Sequence, residues 1–448
     1  MVAFNITTLW RAPLARSRNY PFMKQLRAHR TIIHCLMIAL LAFWQIGQPL
    51  QAATFYWDAD GDATGNDTTT GGGLGGTGTW DTSTPNWWDG SASEDEEWPD
   101  ANDTAIFSGP FPLSPYAVRV LNTVTLAGLI NANQLRFQRS GYTLTGGTLA
   151  LVGSNAGIHV ETGETATIAS VIDGTDGLLK TGGGAVRLSG VNTYTGTTTI
   201  ANGVLIISNA NALNSASSSP IVITESNSTP SNLTTIGFTG GSLVLDGYSG
   251  GGVTLSRDIN VQGNGAIGRG GAIVSYGNNT LSGLVSSAPG ALSPNTFRNT
   301  RITSANGTLT LSGTLNAGGT AGTTVTTLGG INSAGVGNYA ITGVLSGTGY
   351  LEKAGSGTLF LNPTNTSGFS GRLRISASAG TGQSSVRLSS AMDGANATSI
   401  FGTSTETNAS APIDMNGGVL EIRSENSLSF GKNVYGRATS SVIFVGPG

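Results

Sequence analysis

The sequence predicts an all-β protein: a parallel β-helix solenoid closed at its N-terminal end by a Trp-rich cap. Three observations lead there. Glycine supplies 67 of 448 residues, while charged residues supply 10%, where about a quarter is usual. Short alternating apolar and polar runs recur between Gly, Asn and Ser clusters, which are the strand and turn signals. Segments also repeat at a constant offset, the mark of a stacked array. The hydrophobic share of 38% separates the chain from disordered sequences. This composition excludes coiled coils, helical bundles and doubly wound or barrel α/β enzymes. The net charge of -3 argues against a nucleic-acid binder.

Residues 1–52 carry six basic side chains and no acidic one, so the rest holds 16 basic against 25 acidic residues. Thr31–Gly47 (TIIHCLMIALLAFWQIG) is apolar, follows the basic stretch and runs into Leu50-Gln51-Ala52-Ala53. A basic region, a short apolar run and small residues at its end describe a secretory signal peptide. Cleavage is expected after Ala52 or Ala53, and MKQLRAHR from Met23 offers a more ordinary start. Gln45, Gln48 and Pro49 interrupt the apolar run before the ~20 residues a membrane span needs. The exported part then has no Cys, since Cys35 sits in the leader. Disulfides and thiol chemistry are excluded for it. No later segment is apolar enough to span a membrane. The chain closes on Phe444-Val-Gly-Pro-Gly448 with no sorting tail or barrel segments, as expected of a solenoid whose anchor is not in this sequence.

Residues 53–109 differ in kind. They hold five Trp between Trp57 and Trp98, in FYWDADGD, GTWD, PNWWDG and EEWPDANDTAIFSG. A solenoid must cover the open end of its core, and large amphipathic rings suit that task.

From residue 110 onward the pattern is strand and turn. Expected strands include Ala117–Leu121, Thr148–Val152, Gly203–Ile207, Ser242–Asp246, Gly307–Ser312 and Gly418–Arg423, while Ser208–Ser217 is too polar for more than a short turn. Ile168–Lys180 (IASVIDGTDGLLK) recurs as Ile341–Lys353 (ITGVLSGTGYLEK) at an offset of 173, and GNNTLSGLVS from Gly277 parallels GNYAITGVLS from Gly337. Units without helices favour a parallel β-helix over leucine-rich and helical solenoids, and the strands are too short and uneven for propeller blades. Rungs of ~20–25 residues are expected.

The segment Gly177–Ile207 (GLLKTGGGAVRLSGVNTYTGTTTIANGVLII) resembles the autotransporter-associated β-strand repeat of bacterial secreted proteins. It carries the spaced Gly177, Gly182, Gly184 and Gly190 and the Asn192-Thr-Tyr-Thr-Gly196 turn. The second copy matches at Gly349, Leu351, Lys353, Gly355, Gly357, Asn365, Phe369 and Gly371, departing at Pro363 and by two inserted residues. The spaced Trp-Asp pairs and the closing Trp98-Pro99…Asp103-Thr-Ala-Ile-Phe107 resemble the start of mature proteins of that family. The resemblance implies a right-handed β-helix rod of passenger type, exported by Gram-negative-type bacteria.

Few constellations carry chemistry. Asp58, Asp60 and Asp62 are spaced like the first ligands of a Ca²⁺ loop, yet Ala63 replaces its turn Gly and Thr69 its bidentate Glu, so an acidic turn is the competing reading. Glu94-Asp95-Glu96-Glu97 reads as a solvated loop. Trp80, Trp87, Trp88 and Trp98 suit either a sugar-stacking platform or a buried cap. His159 has no partner by spacing. Asp173 and Asp176 become Ser346 and Gly349 in the second copy, and Lys180, Lys353 and Lys432 are the only exported lysines. Gly268-Arg-Gly-Gly271 lacks the Lys and helix of a phosphate loop.

The expected function is a non-enzymatic, exported structural or adhesive rod at the cell surface or in the medium, with an extracellular surface or glycan as partner. The alternatives are a carbohydrate-active β-helix enzyme, which needs acids or bases converging on one face, and a glycan-binding module at 53–109.

Overall fold

The computed structural model describes residues 52–91, 93–110, 121–225, 240–248, 251–266, 268–287, 298–318, 324–329, 336–376, 384–388, 413–423, 434–436 and 442–446. The leader, most of the expected strand at 117–121, and Lys432 lie outside them. Residues 52–448 form one compact unit.

This unit is a parallel β-helix with three walls, which among the described residues are sheets of 13, 15 and 8 strands. A complete rung lays one strand on each wall in turn, as Ile273–Tyr276, Asn279–Leu281 and Val285–Ser287 do. The chain then returns above itself, pairing Val274 with Thr303 and Leu309 with Tyr339, all in parallel. Rungs take 20 residues where the corners are tight (Leu179 to Thr199) and 30 where loops are longer (Leu309 to Tyr339).

Alternation decides which side chains enter the core. Thr308–Leu311 and Tyr350–Lys353 both turn every second residue inward. Like residues then stack: Leu309, Tyr339, Leu359, Val386 and Leu420 occupy one register column and all are buried. A single apolar cluster runs from Phe55 to Ile422, so repetition supplies ample burial from a modest apolar fraction.

The third wall starts late as a regular sheet, at Thr254–Leu255. Before it, the long strands Asn122–Ala132 and Tyr142–Leu151 each turn a corner and run onto that wall, where Val171–Asp173 joins the second of them. Higher up, side chains replace strands. Buried Asn192 accepts from the Ile172 N–H at 2.8 Å and donates to the Ala212 carbonyl at 2.6 Å, linking three rungs. The Asn-rich stretch forms one 3₁₀ turn, Ala210–Leu213, which buries Ala212 and Leu213.

The two repeat copies sit on different walls. Leu178–Thr181 and Ala185–Leu188 belong to the first and second walls, whereas their counterparts Tyr350–Lys353 and Thr358–Leu361 belong to the second and third. The motif therefore encodes strand, corner and strand, and leaves the choice of wall to the residues used by preceding corners. A further copy, GTLTLSGTLN at 307–316, lies midway between those starting at Gly277 and Gly337, and these three are successive rungs.

Candidate functional site

The expected cap forms the first rungs of the same walls. Thr54–Trp57 opens the first sheet and pairs in parallel with Thr104–Phe107. Trp87–Trp88 lies antiparallel on its outer edge, blunting an edge that would otherwise invite another chain. Trp57, Trp80, Trp87 and Trp98 are fully buried, with ring centroids 4.7 Å (Trp87–Trp98), 4.8 Å (Trp80–Trp87) and 5.2 Å (Trp57–Trp87) apart. Phe107 stacks on Phe137 at 4.8 Å and carries the aromatic column into the solenoid. The carbohydrate reading named Trp80, Trp87 and Trp88, with Trp98 beside them. Burial turns the faces of Trp80, Trp87 and Trp98 into the core, and Trp88 is 7% exposed and tilted against Tyr56, so these rings offer no stacking platform. The closing motif is structural as well. Trp98 Nε1 donates to the Asn131 carbonyl, Asp100 accepts from the Asn131 N–H, and Asp103 accepts from the Ala53 N–H.

The acidic turn spends much of its hydrogen bonding on its own backbone. Asp60 Oδ1 accepts from the Asp62 N–H at 3.0 Å, and Asp62 Oδ1 from the Thr64 N–H at 2.9 Å. Asp58 is wholly buried, with Oδ2 accepting from Asn66 Nδ2 at 2.6 Å. Among the described residues, no three Asp, Glu, His or Cys side chains are arranged to hold a metal ion. Asp95 is the residue sequence reasoning placed wrongly. Glu94, Glu96 and Glu97 are exposed, but the Asp95 carboxylate oxygens are buried and lack a donor. The cause is the Glu96 main chain, which pairs with Trp87 and pulls the segment over the cap. Burial lifts Asp58 to about 7, with the Asp95 and Asp60 charges adding to it, and lifts Asp95 to about 6, with Asp60 and Asp62 adding.

The remaining candidates are dispersed. His159 Nδ1 lies 3.1 Å from Thr181 Oγ1, and Nε2 lies 3.3 Å from a Glu161 oxygen that also binds Arg136 at 2.6 Å. Asp173 accepts from the Thr193 hydroxyl and Asp176 from the Gly153 N–H. Lys180 and Lys353 are fully buried. Lys180 Nζ donates to the carbonyls of Thr181, Gly182 and Asn202, and Lys353 Nζ to those of Ala354, Gly355 and Ser356, at 2.5–3.2 Å. Each repeat lysine thus closes the glycine corner that follows it. Its recurrence before Gly in both copies was the available signal. Charges on the upper rungs form ladders. Arg301, Thr327, Glu352, Arg374 and Asp414 share one column of the second wall, where Arg374 pairs with Asp414 at 3.1 Å. On the third wall Arg387 pairs with Glu421 at 2.6 Å. Neither ladder was legible, because irregular rung lengths hide which residues share a column.

This capped parallel β-helix, with buried lysines closing two of its glycine corners, is similar to autotransporter passengers. Residues 178–207 and 351–381 match the passenger-associated-transport-repeat. Among curated proteins, the "Adhesin BmaC autotransporter" of Brucella suis biovar 1 (strain 1330) is 34% identical over 187 residues, which are 41% of this chain and 5% of that protein. No solved structure matches the chain.

Proposed function

We propose that the chain is an exported adhesive rod, displayed at the cell surface or shed into the medium, that acts by presenting its outer walls and not by catalysis. The observation carrying this reading is the match of two corners of an unbroken, capped β-helix to a passenger repeat, in a chain similar to a protein named as an adhesin. The basic-then-apolar leader of residues 1–52 supports export through a signal peptide. The pairing of Asp414, Glu421, Glu161 and Asp246 with arginines leaves these acids as wall staples, unlike the free, converging acids a lyase or hydrolase needs.

The test is expression in a non-adherent Gram-negative host, followed by fractionation, immunoblotting against residues 110–448 and counting of host bacteria bound to epithelial monolayers. The expected result is antigen in the medium or outer-membrane fraction together with raised adherence. Antigen confined to the cytoplasm would overturn export, and surface antigen without adherence would overturn the adhesive role.

A further inference from the structure

The cap holds no open aromatic face, but one exists at the corner between the second and third walls. Glycines build this corner on three successive rungs at Gly247, Gly277 and Gly307, followed on the first by Gly251 and Gly252. Without side chains there, the surface dips into a groove of about 490 Å³ floored by glycine and walled by Tyr248, Asn278 and Asn306. It continues into a second hollow of about 480 Å³ along the third wall, sharing Gly251, Gly252 and Asn278 with the first. Gly252 is required by more than space. Its φ is +104°, and a Cβ would stand 2.3 Å from the Asn278 carbonyl.

Tyr248 is 66% exposed, high for a large ring. It is nonetheless held. Asn306 Oδ1 accepts from the Gly277 N–H at 2.7 Å, Asn306 Nδ2 donates to the Tyr248 hydroxyl, and Tyr276 backs the ring with centroids 6.4 Å apart. Contact with Asn306 and Tyr276 on either side restricts the ring, which lowers the ordering cost of binding. Beside it Thr254, Thr280 and Thr310 stand in one register column of the third wall. Among the described residues their hydroxyls have no protein partner and Asn278 Nδ2 has none, whereas Asn278 Oδ1 is taken by the Thr308 N–H. Rungs rise ~4.8 Å, so the three hydroxyls repeat at a spacing close to the length of one pyranose ring in an extended chain.

The lining of both hollows contains no charged side chain. An anionic polymer finds no cation there. A peptide strand finds little to join: Asn279–Leu281 and Thr308–Leu311 are paired on both sides, and the one open edge, Thr254–Leu255, is two residues long. What remains is a fixed aromatic face beside a row of uncharged hydroxyl and amide groups. We propose that this groove binds a neutral saccharide chain, with Tyr248 stacking on one ring and Thr254, Thr280, Thr310 and Asn278 bonding the hydroxyls of the next ones. This deepens the adhesive reading by naming the ligand class, and it rests on that reading only for its biological use.

The purified exported chain is titrated with neutral hexasaccharides (maltohexaose, cellohexaose and chitohexaose), with hexagalacturonate as the anionic comparison. The expected result is saturable binding of at least one neutral hexamer and none of the anionic one. Tyr248→Ala should weaken binding ~10-fold, the loss of one stacking contact. Thr254→Val keeps the β-branched shape and should weaken it ~2–10-fold through one hydrogen bond. Both sites face solvent, and an unchanged circular dichroism melt verifies folding. No neutral binding, preference for the anionic hexamer, or binding unmoved by Tyr248→Ala would overturn the proposal. Adherence of bacteria displaying wild-type chain and Tyr248→Ala is scored in parallel. Adherence without saccharide binding overturns the groove alone, and saccharide binding without adherence overturns the adhesive reading alone.

Discussion

Lys180 and Lys353 are cations in a core that otherwise buries leucine, isoleucine and valine. Burial pulls Lys180 down to about 7 and Lys353 to about 8, from 10.5. The unfolded chain then binds more protons than the folded one between about 7 and 10.5, so their contribution makes stability rise with pH across that window. Asp58 and Asp95 act in the opposite sense. Raised from 3.8 to about 7 and about 6, they contribute stability that is present below pH 4 and lost as pH climbs to 7. The two effects meet near neutrality, and we expect the lowest melting temperature at about pH 7–8. Thermal melts from pH 4 to 10 check this, with fluorescence of the buried Trp cluster reporting the cap and circular dichroism the walls. Asp58→Asn should flatten the acidic limb of the fluorescence curve. Calcium added at pH 8 should leave that curve unchanged, because Asp60 and Asp62 cap their own turn; a raised melt would favour the cation reading instead. Lys180→Met should flatten part of the basic limb and cost about 1–3 kcal/mol, since three corner carbonyls lose their donor. These roles were half legible. The sequence shows a lysine before the glycine corner of both repeats, but not that Nζ turns inward to cap three carbonyls, all local at Lys353 and one from the next rung, Asn202, at Lys180.

At the scale of elements, strands were legible and corners were not. Gly203–Ile207, Ser242–Asp246 and Gly418–Arg423 declare themselves by alternation, and the structure places strands at 203–207, 241–246 and 419–423. Alternation reports what one strand buries, and it is local. Which wall a strand joins depends on corner lengths summed along the chain, so the repeats at 178 and 351 look alike and yet face differently. Corners are also where single substitutions tell most. Gly283, Gly313 and Gly343 stack between the third and first walls. A Cβ on Gly313 would sit 2.1 Å from the Gly283 carbonyl, and one on Gly343 would sit 1.8 Å from that of Gly313. Gly163 has φ +87° but nothing within 4 Å of an added Cβ. Gly313→Ala should therefore cost about 3 kcal/mol by forcing rungs apart, and Gly163→Ala about 1 kcal/mol through backbone conformation alone. Urea denaturation measures both, and equal costs would refute close rung contact as the reason for the glycine column.

For the whole molecule, the stack makes each rung depend mainly on the two that touch it. A rung should then be removable if the register above and below is kept. Leu178 pairs with Thr198, 20 residues on, and the strand at 198–200 meets the rung above through Ile221–Ile223. Deleting residues 178–197 joins Gly177 to Thr198 and sets Thr198–Ile200 where Leu178–Lys180 stood, beside Gly157–Val160. The second wall closes likewise, with Gly203–Ile207 brought onto Thr165–Ile168 in place of Ala185–Leu188. This deletion removes Lys180 and the Arg187–Asp246 ion pair, so some stability is lost, but the chain should stay soluble with its β-type circular dichroism and a cooperative urea transition. Deleting only residues 178–187 takes away half a rung. It presents the corner Ser189–Asn192 to the wall and turns inward-facing residues out, and aggregation is expected. If the full-rung deletion fails as badly as the half-rung one, stability is not nearest-neighbour in character and the long apolar column folds as one indivisible core. If it survives, length is a free variable of this architecture, and a rod can gain or shed rungs while the cap at one end and the groove beside Tyr248 keep their own structures.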